Sequence, residues 1–274
     1  MARRARRSAA DALLRPGERV FQLSALGGAS ERQFTKLRPN AARLPWGSLA
    51  TACIPEELRA RAQRVWAEVT YSEHCAAAGM STAVLAMVRA CAPVDLVATA
   101  SRFIFEELSH AELCARIVAE LGGAPALPYD AGQIHYALAL EVSPLAAAAE
   151  QVIRVFCANE SFALPLVRAE VKRGCGYPLV EALVKLIGRE EGPHAAFGWV
   201  FLDWAAPYLD EADRAYLRAV SVDAVESVGS LIAGCADHDE PTLGWLSPRE
   251  FGICARKALA EDVILPLQAR GLLS

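Results

Sequence analysis

The sequence has no long uninterrupted run of apolar residues and no clear excess of charge of either sign. Its 28 basic and 32 acidic residues give a formal net charge of −4 over 274 residues, which predicts neither a nucleic acid nor an anionic membrane as partner. Every strongly apolar stretch carries Arg, Glu or Asp, so we expect no membrane span, which needs about 18 apolar residues. With 54% apolar residues, the chain has the composition of a soluble globular protein, and we expect it in the cytoplasm.

Cysteine pairs with the spacing of a zinc or redox motif are also missing. The eight cysteines stand 16 to 60 residues apart, and none belongs to a CxxC pair. We therefore expect them to be reduced and mostly buried. A hydrophobic leader is missing as well, because the four arginines within residues 3–7 precede a polar segment, which predicts a solvated arm and no signal peptide.

Strand-like alternation of polar and apolar residues is almost absent, and helical periodicity dominates the chain from residue 55 onward. Proline, glycine and capping residues divide this part into predicted helices at residues 55–79, 81–91, 94–121, 143–172, 178–204, 211–233 and 248–267. Residues 1–54 are predicted to form an irregular arm, and residues 124–142 an irregular connection. The sequence thus predicts an all-α fold, with a bundle over residues 55–205 and C-terminal helices of residues 206–274 packed on it.

Two of the predicted helices carry the same motif, Glu-Glu-x-x-His-Ala. It occupies residues 106–111 and again residues 190–195, which lie 84 positions later. In each motif the second Glu and the His are three residues apart, so they stand on one helical face and can bind the same metal ion. The two pairs are Glu107 with His110 and Glu191 with His194.

Apolar periodicity places both pairs in the core. On each helix apolar residues recur every three or four positions, and the Glu and the His fall within this stripe. The same test selects Glu73 and Glu160 on the helices of residues 55–79 and 143–172, whereas Glu68, Glu150 and Glu170 are placed outside the stripes. Burying four carboxylates and two imidazoles without a nearby Lys or Arg is costly unless a cation neutralises them. Two bound metal ions therefore explain the pattern better than buried salt bridges.

Four successive helices supply these residues in the order Glu, Glu-x-x-His, Glu and Glu-x-x-His. This order resembles that of the ferritin-like carboxylate-bridged dimetal proteins. The resemblance covers residues 55–205 and implies a ferritin-like four-helix bundle with additional terminal helices. It also implies that Glu106 and Glu190 accept a hydrogen bond from the ligand histidine of the opposite helix. The metal ligands that it implies are Glu73, Glu107, His110, Glu160, Glu191 and His194.

Oxygen and imidazole ligands favour iron or manganese over zinc or copper. The resemblance implies two iron ions, or a mixed manganese–iron pair, with O2 as co-substrate in the hydroxylation or N-oxygenation of a small organic substrate. Ile187 stands where arylamine N-oxygenases of this family have a third histidine, which argues against N-oxygenation. Because the chain has no flavin or iron–sulfur motif, we expect an external electron donor or electrons from the substrate. Iron oxidation and storage, a noncatalytic scaffold around a structural metal, and a homodimer all stay open.

Proline residues predict where the bundle opens. Gly192 and Pro193 lie between the Glu and the His of the second motif, and Pro193 cannot donate a backbone hydrogen bond to Arg189. This predicts a kinked or widened helix and a substrate opening beside the metals, in a pocket lined by the helices of residues 94–121, 143–172 and 178–204. Pro165 predicts a further kink. His74 is expected to point away from the adjacent Glu73, and His135 and His238 lack a second ligand at metal-site spacing, so none of the three is expected to bind metal.

Overall fold

The computed structural model describes residues 19–124, 127–129, 137–235, 238–240 and 242–274. The arginine cluster of residues 3–7 and His135 lie outside these described residues. The protein is an all-α helical bundle, as predicted. Its α-helices are α1 (Gly28–Leu37), α2 (Glu56–Arg89), α3 (Val94–Glu120), α4 (Pro144–Val152), α5 (Ser161–Arg173), α6 (Pro178–Ala205), α7 (Glu211–Ala233), α8 (Pro248–Ala258) and α9 (Leu265–Ala269).

Short elements complete the architecture. Two-residue strands, β1 (Arg19–Val20) and β2 (Pro128–Tyr129), pair antiparallel. The π-helical segment Ile153–Glu160 joins α4 to α5, and a second one, Leu259–Ile264, joins α8 to α9. Within the described part of the chain, no helix is both long and apolar enough to cross a membrane.

Capping residues set the beginnings of the helices close to the predicted positions. The Ser143 side chain accepts a hydrogen bond from the backbone N–H of Ala146, and Pro144 occupies the first turn of α4. At α8, Ser247 and Glu250 form a capping box, in which each side chain accepts a hydrogen bond from the other residue's backbone N–H. Such caps satisfy N–H groups that have no partner within the helix.

The predicted break at Gly79 is wrong, because α2 continues to Arg89 as a single helix of 34 residues. Gly79 is itself buried, and Met80, Ala83 and Met87 after it are buried in the same core as Phe103. A glycine inside a helix costs about 1 kcal/mol relative to alanine. Tertiary packing on both sides of Gly79 outweighs that cost.

The segment predicted to be irregular, residues 1–54, contains helix α1. None of the residues of α1 is buried, and side chains in and next to this helix hold it against α3. The Phe34 ring packs edge-on against Phe105 with centroids 5.5 Å apart, and Arg38 forms an ion pair with Glu112. The helix depends on partners about 70 residues away, which local sequence patterns do not contain.

The departure from α-helical geometry lies in a different helix from the one predicted. Helix α6 runs through Gly192 and Pro193 without a break, and Pro193 is exposed, so its ring disturbs no packing. Helix α5 likewise continues through Pro165. The widening occurs just before α5, in the π-helical segment Ile153–Glu160, whose last residue is one of the predicted ligands.

The core consists of two apolar clusters stacked along the bundle. One contains Phe103, Phe156 and Phe197 together with residues of α7, α8 and α9, so the C-terminal helices pack on the bundle. The other contains Ile117 and Leu183 and lies toward the opposite end of α3 and α6. On α3 and α6 the two Glu-x-x-His pairs fall between these clusters. The polar site thus occupies a layer between two apolar layers.

The cysteines differ from the expectation. All eight are free, as expected, but only Cys114 and Cys157 are buried. Cys53 and Cys91 are exposed because they lie in the segments that precede and follow α2 rather than on an apolar stripe. The other four are partly buried.

Candidate metal centre

The six residues selected from the sequence come together in the layer between the two apolar clusters. Each of the four long helical segments contributes to the group, with α4, the π-helical segment and α5 counted as one. The residues form two overlapping sets, Glu73, Glu107, His110 and Glu191 in one and Glu107, Glu160, Glu191 and His194 in the other. Within each set, one potential ligand atom per residue lies within 4.8 Å of all the others.

Glu107 and Glu191 belong to both sets. Each directs one carboxylate oxygen toward His110 and the other toward His194. His110 Nδ1 lies 3.9 Å from Glu107 Oε2 and 3.1 Å from Glu191 Oε1. His194 Nδ1 lies 2.9 Å from Glu107 Oε1 and 3.2 Å from Glu191 Oε2. A carboxylate that directs its two oxygens toward two different imidazoles has the arrangement required to bridge two metal ions.

The outer ring nitrogens of the two histidines contact carboxylates on the opposite helix. His110 Nε2 on α3 lies 2.8 Å from Glu190 Oε2 on α6, and His194 Nε2 on α6 lies 3.0 Å from Glu106 Oε2 on α3. These are the crossed contacts that the resemblance implies for Glu106 and Glu190. A carboxylate at Nε2 holds the proton there, which leaves the Nδ1 lone pair directed into the site.

Arg102 supports one of these outer carboxylates. Its guanidinium contacts Glu106 Oε1 at 2.7 and 2.6 Å, one turn along α3. Burial alone would raise the pKa of Glu106, but hydrogen bonds from His194 and Arg102 and their positive charges lower it. Glu106 is therefore an anion, which strengthens its hold on the His194 ring.

Several buried polar atoms in the site have no hydrogen-bond partner among the described residues. They are Nδ1 of His110, Nδ1 of His194 and Oε1 of Glu107. The last two lie 2.9 Å apart, yet not in hydrogen-bond geometry. Leaving a buried polar atom unpaired costs about 1–3 kcal/mol, so three such atoms in one layer indicate missing partners. A cation held by each ligand set would reach the unpaired atoms of that set, so the residues present fit metal ions.

The electrostatics of the site lead to the same conclusion. Burial, followed by the charges of Glu191 and Glu73, raises the pKa of Glu107 well above its ordinary value. Burial and the charges of Glu191 and Glu107 raise the pKa of Glu160 in the same way. Burial lowers the pKa of His194, but its carboxylate partners outweigh this and raise it to about 12. The site therefore attracts positive charge, either protons or metal ions.

A cavity of about 710 Å³ adjoins the site and includes Glu73, Glu107, Glu160 and Glu191 in its wall. Its wall is formed chiefly by α2, α5, the π-helical segment and the segment that leads into α8. The main apolar residues that line it are Val65, Val69, Phe162, Leu166, Trp245 and Phe251.

The location of this cavity corrects two predictions. Neither Gly192 nor Pro193 lines it, so the expected opening beside that pair is wrong. Of the residues on α3, the described lining includes Glu107 alone, whereas α2 supplies a large part of the wall. The π-helical segment, rather than a proline kink in α6, borders the chamber, and π-helical turns often occur at functional sites.

Two glutamates that the sequence analysis placed outside the apolar stripes are in fact buried. Glu150 is buried and pairs with Arg154 at 3.0 Å and with the Tyr216 hydroxyl. Glu170 is also buried and lines the cavity. Extending the stripe of the helix predicted at residues 143–172 by three residues beyond Val167 would have found Glu170.

The remaining described histidines are not part of the site. His74 packs against the Phe21 ring with centroids 5.4 Å apart, and His238 is exposed. Neither belongs to the two potential ligand sets.

Comparison of the chain with models of protein families, with curated proteins and with solved structures finds no match. What the site can do therefore follows from its geometry and chemistry. Within the described residues, that geometry is a buried group of glutamates and histidines that could hold a metal ion, beside an apolar cavity.

Proposed function

We propose that this chain is a ferritin-like di-iron oxygenase or oxidase, which uses O2 to oxidise a small organic substrate. The observation that carries the proposal is the pair of ligand sets that share Glu107 and Glu191 at the wall of an apolar cavity. Shared carboxylates and one imidazole per position suit two iron ions, and the same donors would accept a mixed manganese–iron pair. The cavity lies within the range of about 300–1,000 Å³ that is usual for small-molecule pockets.

The two ligand sets would hold two ferrous ions, which would supply the electrons that reduce O2, while O2 would be the oxidant of the substrate. The chain supplies the surroundings for this chemistry. Glu106 and Glu190 hold the protons at Nε2 of the two histidines, so that Nδ1 keeps a lone pair that can bind a metal ion. The ring of Phe103 is buried, and its centroid lies 4.3 Å from that of His194, so it packs against the imidazole and restricts its movement.

An external electron donor is part of the proposal. The chain has no flavin or iron–sulfur motif, so repeated turnover needs electrons from a separate reductase or from the substrate itself. The cavity favours oxidation of an organic molecule over iron storage, because iron storage needs no apolar chamber beside the ligands.

Anaerobic titration with Fe²⁺ tests the metal site directly. We expect the full chain to bind two ferrous ions and to develop a visible absorption band on exposure to O2. Glu107→Ala removes a carboxylate shared by both positions and should abolish the band and most of the binding. His194→Ala removes the imidazole of one position and should abolish the band. Glu68→Ala, on the exposed side of α2, is the control and should behave like the wild type.

The same titration separates the alternatives. Uptake of many ions per chain together with a large, shell-like particle in gel filtration would indicate iron storage instead. Two bound ions that neither react with O2 nor alter the absorption spectrum would indicate a structural metal. If the wild type binds no iron or manganese, the proposed function is wrong.

A further inference from the structure

Glu170, on α5, is a buried carboxylate that the metal site does not use. Its side chain lines the cavity, and the residue is only 7% exposed. The backbone N–H of Leu246 hydrogen-bonds to the carboxylate, but Oε2 has no hydrogen-bond partner among the described residues. Burial outweighs the Leu246 hydrogen bond and the Arg173 charge and raises the pKa of Glu170 well above its ordinary value, which shows that an anion here is costly without a partner. A cationic ligand group that pairs with Oε2 would stabilise the anion and offset that cost.

The position of Glu170 is well separated from the metal site. Glu160 and Glu170 line the same cavity and are ten residues apart on one continuous helical path, which corresponds to a rise of about 15 Å. Apolar residues from α2, α5 and α8 line the space between them. The cavity therefore has a carboxylate-rich metal end, an apolar middle and a single carboxylate at a distance.

The charge of the lining selects the kind of group that Glu170 would bind. Among the described residues that line the cavity, none is basic. Arg173 is near Glu170, but its guanidinium donates to Trp245 O at 2.7 Å and lies 3.4 Å from Glu250. An anionic end group would find no cation in this wall. A cationic end group would find one carboxylate without a complete set of partners.

We propose that Glu170 is the substrate-anchoring residue of the cavity and binds the ammonium group of an elongated, largely apolar amine whose other end reaches the metal site. The inference rests on the proposed function, since it describes the far end of the molecule that would be oxidised. An apolar chain of about ten carbons matches the separation along the helix. Oxidation would then occur at the apolar end and not at the nitrogen.

Binding of simple probes tests this anchor without turnover. We would titrate the full-length protein with decylamine, decanol and decanoate by calorimetry, with and without bound Fe²⁺ under anaerobic conditions. An ammonium–carboxylate contact is a charge-assisted hydrogen bond, which corresponds to about a 10- to 100-fold gain in affinity. We expect decylamine to bind more tightly than decanol by that factor, and decanoate to bind most weakly.

The variant Glu170→Gln keeps the shape of the side chain and removes its charge. It should reduce the affinity for decylamine by about 10- to 100-fold and leave that for decanol nearly unchanged. Glu68→Gln makes the same change of charge on the exposed side of α2 and should alter neither affinity. Circular dichroism would establish that Glu170→Gln is folded, and the comparison of the three wild-type probes does not depend on any variant.

Several results would overturn the anchor while leaving the proposed function intact. Equal affinities of the wild type for decylamine and decanol would do so, as would tightest binding of decanoate. A Glu170→Gln variant that loses affinity for both probes alike would indicate a role in shaping the cavity only. Conversely, an amine preference in a protein that binds no iron would support the anchor and contradict the proposed function.

Discussion

Gly198 on α6 lies where the bundle has no room for an added side-chain carbon. An added Cβ would meet Cys157 Sγ at 2.6 Å, Phe156 Cβ at 2.9 Å and the Cys157 backbone nitrogen at 3.0 Å. Cys157 and Phe156 belong to the π-helical segment that carries Glu160. The Cys157 nitrogen belongs to the backbone and the Phe156 Cβ is bonded to it, so no side-chain rotation can relieve these two contacts. The variant Gly198→Ala therefore has to push α6 away from this segment.

The expected loss of stability follows from two opposing effects. Overpacking of a well-filled core costs about 1–3 kcal/mol. Replacing glycine by alanine inside a helix returns about 1 kcal/mol. We expect a net decrease in the free energy of unfolding of up to about 2 kcal/mol. Gly192 on the same helix provides the control, because an added Cβ there meets nothing within 4 Å. Gly192→Ala should therefore gain up to about 1 kcal/mol from helix propensity alone.

Chemical denaturation of the metal-free chain compares the two variants with the wild type. Urea midpoints followed by circular dichroism, with unchanged m-values, give the difference in free energy. Chelator is needed in all samples because bound metal would add its own stabilisation. A Gly198→Ala variant at least as stable as Gly192→Ala would refute the close approach of α6 to the π-helical segment.

Two further predictions concern the carboxylates outside the ligand sets and the start of α8. Glu106→Gln should weaken the ion bound through His194 by about 10- to 100-fold and make the Fe²⁺ titration biphasic, while Glu190→Gln should weaken the ion bound through His110. Equal weakening of both ions by either variant would contradict the crossed hydrogen bonds. Ser247→Ala removes the capping box and should lower the free energy of unfolding by about 1 kcal/mol in the same denaturation assay, with Ser230→Ala, exposed on α7, as its control. Equal losses in these two serine variants would show that the cap contributes nothing specific.

The inward orientation of the six polar residues could be predicted because it follows from the periodicity of each helix, whereas their convergence was implied by the family resemblance. A Glu and a His at positions i and i+3 share a face whatever the helix packs against. The apolar neighbours of Glu107 and Glu191 at steps of three and four then show that this face points inward, and both residues are buried. The boundaries of α3, α6 and α7 were predicted closely for the same reason, since proline, glycine and capping residues act locally.

The features that could not be predicted depend on contacts between distant segments. Taken alone, Gly79 predicts the end of a helix, but the surrounding core keeps α2 continuous. Pro193 predicts a kink, but α6 is continuous through this residue, whose side chain is exposed. The π-helical turn before Glu160 has no local signal of its own in the sequence. The location of the cavity follows from these three outcomes and was mispredicted with them.

The crossed pairs Glu106–His194 and Glu190–His110 also bear on how the chain finds a single fold. Much of the interior consists of small aliphatic side chains, and helices with such faces can bury similar apolar area after sliding past one another. A slide of α3 against α6 by one turn, about 5.4 Å, would separate both pairs at once and leave the Nε2 atoms of two buried histidines without their carboxylate partners. Only one alignment of the two helices satisfies them. The residues that prepare the histidines for metal therefore also encode the register of the bundle.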